Sequence, residues 1–477
     1  MSRSSSLQKE FEAEKGGPGA SDSIDSIDFL LYHEKGDGRL VVDPAEAKIE
    51  FGEHNASKLK LSPDGKVVLW PQPTDDPEDP QNWSDLRKTV QLIIVTLAAI
   101  VPDFDSGIGI AAIFALAKQY DTTTEVINNL TSNWSIFLVG WGGIFAVMLM
   151  RRYGRLPILF WTQVLGLGFL IGATFSPTLK TFAAFRCLNA FFSKRKALSP
   201  HARYEADMHF RRLYDRTVKP IPPRPTTGLR YRVETVIGIT GAKMAHYRSS
   251  WNTVIWACFR LVWRPHFLGI LVFEAMLFGF TIGINVTNAV FLGLPKPVGF
   301  GFSQFGIAGC YGTPIVGVLI GELMGRYLND WIQNFCIRRN HGVFEPESRL
   351  WACYVAIPLY ICGFVLLGAS LQNQLSPGAL IMGWGIAQVA NMVGTTAVYA
   401  YCNDCFPRHQ GEVSALVNLA RTLGGFSVAY FQVPWATKNG AIQTFGCEAA
   451  IVAGLFVLIV PVVQWKGRAL RERFALY

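Results

Sequence analysis

Between Phe305 and Met324 the chain has a single ionisable side chain, Glu322, in twenty otherwise uncharged residues. As a helix rising ~1.5 Å per residue, such a run is ~30 Å long, the thickness of a bilayer's hydrocarbon core. In that medium each backbone N–H and C=O must find its partner within the protein, and a helix does so within one segment. The run therefore predicts a membrane span. After it come Arg326, Asp330, Arg338, Arg339, Glu345, Glu347 and Arg349 before apolar sequence resumes at Leu350. These residues predict a short loop outside the hydrocarbon, on the cytoplasmic side because of its basic excess.

The rest of the chain agrees with this medium. Half of the 477 residues are hydrophobic and only 17% are charged, which points to a multi-span membrane protein. The formal net charge of +9 is carried by loops and tails between apolar runs. No zinc-finger spacing or RNA-binding aromatic motif accompanies it, so nucleic acid is not an expected partner. HExxH, GxSxG and P-loop motifs are absent and the histidines do not cluster in the spans, which argues against an enzyme. Most of the nine cysteines sit in apolar runs, where a thiol acts as a small hydrophobe. Neither a disulfide framework nor a metal site is expected. MSRSSSLQKEFEAEKGG lacks the apolar core of a signal peptide, so insertion is expected to rely on the first span.

In chain order, residues 1–85 read as a disordered cytoplasmic tail. Within it DGRLVVDPAEAKIEF is either a short strand or hairpin against the membrane domain or an unstructured linker. Spans are expected at 89–117, 134–150, 156–175 and, over only twelve residues, 181–192, making an incomplete amino-terminal bundle over 86–192. Asp103 and Asp105 lie near the middle of the first span, where a carboxylate costs ~2.5–3.5 kcal/mol and marks either a pathway or a wet kink at Pro102. An exterior loop at 118–133 offers the glycosylation acceptors Asn129 and Asn133. Residues 193–264 form a basic cytoplasmic loop, in which 194–264 hold fifteen Lys and Arg against four acidic residues. Six spans follow at 267–292, 305–325, 350–371, 378–402, 413–433 and 444–464, forming a carboxyl-terminal bundle over 265–465, with a cytoplasmic tail at 466–477. Ten crossings keep every basic segment inside; nine result if the short fourth span fails to cross.

Two polar stripes stand out at helical spacing: Glu274, Thr281, Asn285 and Asn288 on one helix, and Gln388, Asn391 and Thr395 on another. They read either as a ligand pathway or as interhelical polar contacts worth ~0.6 kcal/mol each.

Gly321, Glu322, Asp330, Arg338, Arg339, Asn340, Gly342, Glu345, Pro346, Glu347, Arg349 and Leu350 together resemble the loop between the eighth and ninth helices of fungal major facilitator transporters. VLWPQPTDDPEDPQNWSDLRK at 68–88 resembles the lead into that group's first helix, and Arg421, Gly425, Phe426, Pro434, Trp435 and Gly440 resemble its eleventh helix. Gly154 and Arg155, after Arg152, resemble the end of the facilitator motif between helices two and three, with Arg151 in the place of the motif's Asp. TFAAFRCLNAFF resembles the first half of the fourth helix, with Arg186 in the place of an intramembrane arginine. The remainder of helix four and helices five and six have no counterpart.

The resemblance implies an all-α integral membrane protein of the major facilitator fold. It implies alternating-access transport of small organic molecules, efflux of drugs, metabolites or toxins among the possibilities, across the plasma membrane. Protons are the implied coupling ion, and no cofactor is implied. It places Asp103, Asp105, Arg186, Glu274, Thr281, Asn285, Gln388 and Asn391 along the pathway. It makes Arg152, Gly154, Arg155, Glu322, Asp330, Arg338, Arg339, Glu345, Glu347, Arg349 and Arg421 a conformational gate. The other reading is a truncated or mis-spliced membrane protein that does not transport.

Overall fold

The computed structural model describes Tyr32 and residues 38–62, 64–70, 72–73, 82–91, 93, 113–193, 229–245, 248, 250–293 and 300–474. Asp103, Asp105 and most of the first expected span lie outside the described residues.

The amino half is built from three helices: α2 (Trp134–Tyr153), α3 (Arg155–Thr174) and α4 (Leu179–Ser193). (A short α1, Pro44–Phe51, precedes them.) Gly154, at φ +95°, ends α2 and starts α3. An L-side chain is strained at that angle, so the turn needs glycine. The expected exterior loop at 118–133 is instead helical from Thr124, and its last six residues, Asn128–Asn133, form a π-helical turn that runs directly into α2. That turn buries Asn133 and half-buries Asn129. A glycan on Asn133 would have no room in this packing. α4 has fifteen residues, ~22 Å of helix.

The described part of the expected basic loop is also helical. Leu229–Ile237 lies against α3, and α5 (Trp251–Val262) is capped by the Ser250 side chain. α5 buries Val254, Cys258 and Leu261 and leaves Trp256 and Phe259 exposed, with Trp263 exposed just beyond it. Such a two-faced helix suits the boundary between headgroups and acyl chains.

The carboxyl half consists of α6 (Pro265–Gly293), α7 (Gly312–Arg339), α8 (Cys353–Gln372), α9 (Pro377–Cys405), α10 (Gln410–Asn439) and α11 (Ala441–Arg473). One continuous core fills it, with Phe267, Phe273, Tyr360, Phe364, Trp384 and Phe445 among its fully buried members. Close helix contact depends on small residues. Gly317, Gly321 and Gly325 of α7 lie against Gln388, Val389, Met392 and Thr396 of α9, and Gly279 of α6 meets Gly424 of α10 backbone to backbone. Two boundaries differ from expectation: α7 continues to Arg339 and α11 to Arg473, so much of the expected loop and tail is helix extending beyond the apolar spans. Six described helices are long and apolar enough to cross a membrane. α9 and α10 have the length but carry the polar stripes that lower their hydropathy.

Part of the amino-terminal tail is folded. β1 (Leu40–Val41) pairs antiparallel with β2 (Val343–Phe344), Leu40 opposite Phe344 and Val41 opposite Val343. α1 (Pro44–Phe51), capped by Asp43, packs Ala47 and Phe51 with Val41, Leu59 and Val68. Arg39 closes this cap with a bidentate pair to Glu50 at 2.7 and 2.9 Å. The strand reading of DGRLVVDPAEAKIEF is therefore the one observed, and disorder does not describe 38–62.

The one Cys-x-x-Cys spacing, Cys402 to Cys405, lies on α9 with both thiols buried. Among the described residues no group of three or more His, Cys, Asp or Glu could hold a metal.

Candidate functional site

The polar stripes face each other inside the carboxyl half. Glu274 of α6 is fully buried. Its Oε1 accepts from Thr395 Oγ1 of α9 at 2.9 Å and lies 3.6 Å from the Arg421 guanidinium of α10. Arg421 also donates to the Tyr399 hydroxyl at 3.2 Å and stacks over the Phe278 ring at 3.5 Å. Three helices thus converge on one buried carboxylate, and its countercharge is held by an aromatic face as well as by the acid. Arg421, grouped with the gate from sequence, belongs to this centre instead.

Farther along α6, Asn285 Oδ1 accepts from Trp384 Nε1 at 2.8 Å and from Gln388 Nε2 at 2.6 Å, both from α9. The Tyr311 hydroxyl donates to the Asn285 carbonyl. Between Asn285 and Glu274, Thr281 and the Tyr360 hydroxyl of α8 both donate to the Leu277 carbonyl, at 2.9 and 3.0 Å. Asn288 and Asn391 are buried, and among the described residues both amide atoms of Asn288 and Oδ1 of Asn391 have no hydrogen-bond partner. Arg186 is half-buried on α4, a helix packed on α2 and α3 rather than part of this cluster.

The residues expected to form a gate divide into two groups. Glu347 forms a buried bidentate pair with Arg471 of α11, both contacts at 2.8 Å. Arg349 donates to Asp404 of α9 at 2.9 Å, and Glu345 lies 3.7 Å from Arg468 of α11. Asp330, Arg338 and Arg339, expected to exchange partners with these, are exposed along the end of α7. Among the described residues they join no ion pair. Glu322 is exposed on α7 as well. The actual partners come from distant helix ends, which a reading confined to the loop cannot supply.

At the turn between α2 and α3 an ion pair crosses from one half to the other. Arg151, a cation where the motif carries an acid, makes two contacts of 2.7 Å to Glu412 at the start of α10. The charge reversal on one half is met by an acid on the other. Burial raises the Glu412 carboxyl pKa, but the His409 and Arg151 contacts outweigh it and hold the acid at about 2. Arg152 stacks over Trp251 of α5 at 5.7 Å. Gly154 lies against Arg248, and Arg155 opens α3. Sequence reasoning missed Glu412, Asp404, Arg468 and Arg471, although the reversed charge at Arg151 called for an acid elsewhere.

No family model matches the chain. It is 29% identical over 125 residues to the MFS transporter fsa7 of Fusarium sp., a match that covers 26% of this chain and 24% of that one. The chain therefore matches about a quarter of the length of the first such relatives. An uncharacterized transporter of Schizosaccharomyces pombe is 24% identical over 484 residues, covering 86% of this chain and 84% of its own. The proton:xylose symporter XylE bound to 6-bromo-6-deoxy-D-glucose superposes with a TM-score of 0.49 at 12% identity, over 79% of this chain and 97% of that one. With its helix order and its apolar spans, the chain is an all-α multi-pass membrane protein whose sequence is similar to fungal major facilitator transporters.

Proposed function

We propose that the chain is a secondary active transporter of small organic molecules that works by alternating access, uses protons as its coupling ion and acts at the plasma membrane. The observation that carries this reading is the fully buried Glu274, bonded to Thr395 and paired with Arg421 across three helices. An intramembrane ion pair is costly and is kept where its making and breaking does something. Protonating Glu274 releases Arg421 and biases one packing of α6, α9 and α10 over another, which is what coupling a proton to a conformational equilibrium requires. The amides of Asn285, Asn288, Gln388 and Asn391 along the same channel of helices supply donors and acceptors for a neutral polar substrate. The test is uptake and efflux of a compound panel in cells expressing the chain. Flux that depends on external pH and disappears in Glu274→Gln is expected; flux indistinguishable from that of untransformed cells sinks the reading.

One observation favours the second reading, a membrane protein that does not transport. On α7, Ile315, Leu319, Leu323, Tyr327 and Trp331 are 58–70% exposed, a helix face that no described residue covers, and the resemblance finds no counterpart for two spans. A transcript with extra apolar codons between 190 and 200 would restore the partner and favour transport.

A further inference from the structure

Another buried carboxylate lies at the end of the carboxyl half away from the Glu345–Arg349 loop. Glu448 of α11 is fully buried. Gln432 of α10 donates from Nε2 to both its oxygens, at 3.1 and 2.9 Å. Gln432 Oε1 in turn accepts from the Thr287 hydroxyl of α6 at 3.0 Å, and Thr287 Oγ1 also lies 2.9 Å from the Gly283 carbonyl. All three side chains are fully or almost fully buried, and the sequence reading passed over each of them.

Among the described residues no cation lies within 4 Å of Glu448. α10 presents only the Gln432 amide, and α6 presents Thr287, with Glu274 farther along. α8 presents Tyr360, whose hydroxyl lies within electrostatic range of both Glu448 and Glu274. The cations of α11 itself, from Lys466 onward, are at least 18 residues away, ~27 Å of helix. A carboxylate in such a site is favoured only as the neutral acid or while donors surround it.

We propose that Thr287, Gln432 and Glu448 form a proton-binding site whose central amide reverses with the proton. In the ionised state Gln432 Nε2 donates to the carboxylate and Thr287 donates to Gln432 Oε1. When Glu448 takes a proton, its O–H donates to Gln432 Oε1 after the amide turns over. Nε2 then donates to Thr287 Oγ1, and the Thr287 hydroxyl donates to the Gly283 carbonyl. Gln432 Oε1, Gln432 Nε2 and Thr287 Oγ1 keep a partner in both states and the acid's O–H gains one, so each side chain of the triad stays hydrogen-bonded as the proton is exchanged. The two amide orientations have the same shape, which lets the surrounding core stay packed.

This deepens the proton-coupled reading above, and its test is chosen to stand apart from flux. Full-length protein in lipid vesicles is examined by infrared spectroscopy for the carbonyl band of a protonated carboxylic acid, which moves in D₂O. The band is expected at neutral pH in the native chain and in Glu274→Gln, lost in Glu448→Gln, and shifted in Gln432→Leu. A native chain without the band, or a band that survives in Glu448→Gln, overturns the proposal. Should Glu448→Gln fail to fold, Thr287→Val provides a second reading: an altered band position supports the triad and an unaltered one refutes it. Absence of substrate flux would count against transport and leave this result standing.

Discussion

The two halves of the molecule meet the membrane differently. In the carboxyl half, α6 and α9 are ringed by neighbours, and nearly every large side chain on them is inside. In the amino half, α3 shows Trp161, Leu167 and Ile171 at 45–60% exposure, and a Cβ at Gly168 would meet no described atom within 4 Å. Lipid tails are as apolar as leucine, so an uncovered apolar face loses little in a bilayer. Buried polar groups have no such freedom. They need partners across helices, and Glu274, Gln388, Gln432 and Glu448 each find one in the carboxyl half.

The sharpest way to test that contrast is a matched pair of glycine substitutions. A side chain at Gly424 would overlap the Ala275 carbonyl across the α6–α10 contact, whereas one at Gly168 meets nothing within 4 Å. Backbone cannot yield as a side chain can, so Gly424→Leu is expected to cost more than ~3 kcal/mol and abolish the monodisperse species on size exclusion. Gly168→Leu should elute as the native chain does. Equal behaviour would mean that the halves are packed alike.

Next in size is the buried pair between the α7–α8 loop and α11. Arg471→Ala leaves the buried Glu347 without its cation, and removing one member of such a pair costs ~3–5 kcal/mol. The exposed Arg338→Ala should stay within ~0.5 kcal/mol. Thermal unfolding in detergent reads both.

A smaller effect is expected where the halves touch. Arg151→Glu sets two acids together at the α2–α10 contact and should lower the melting temperature, while exchanging both charges, Arg151→Glu with Glu412→Arg, should recover most of it. The contact is also pH-dependent. The carboxyl pKa of Glu412 is lower in the folded state, about 2 against an ordinary value of 4.5. Its contribution is therefore complete above about 4.5 and is lost as pH falls towards 2. Melting temperatures that fall over that window in the native chain, and less steeply in Arg151→Ala, which keeps only the His409 contact, would confirm the assignment.

Much of the fold was legible because span length and charge asymmetry are properties of contiguous sequence. The six later spans, the basic turn after α2 and the facing stripes of α6 and α9 all followed from local pattern. What stayed hidden was pairing at a distance. The loop's charges could be read, but their partners Arg468, Arg471 and Asp404 lie 55 to 124 residues away in sequence. Helix ends were misplaced for a related reason: α7 and α11 continue past the bilayer because polar residues such as Arg326 and Arg468 are good helix formers in water. The glycosylation loop was misjudged because Asn and Thr triplets read as a turn, while the flanking α2 recruits them into a π turn. Glu448 was overlooked because a lone acid near a helix start resembles an interfacial residue until its neighbours are known.

The most direct measurement for the central claim is substrate-panel uptake by proteoliposomes of purified chain, with and without an imposed proton gradient, alongside Glu274→Gln. The account predicts accumulation of at least one compound that requires the gradient in the native protein and vanishes in the variant. Uptake no greater than that of empty liposomes across the panel, or gradient-driven uptake unchanged in Glu274→Gln, would contradict it.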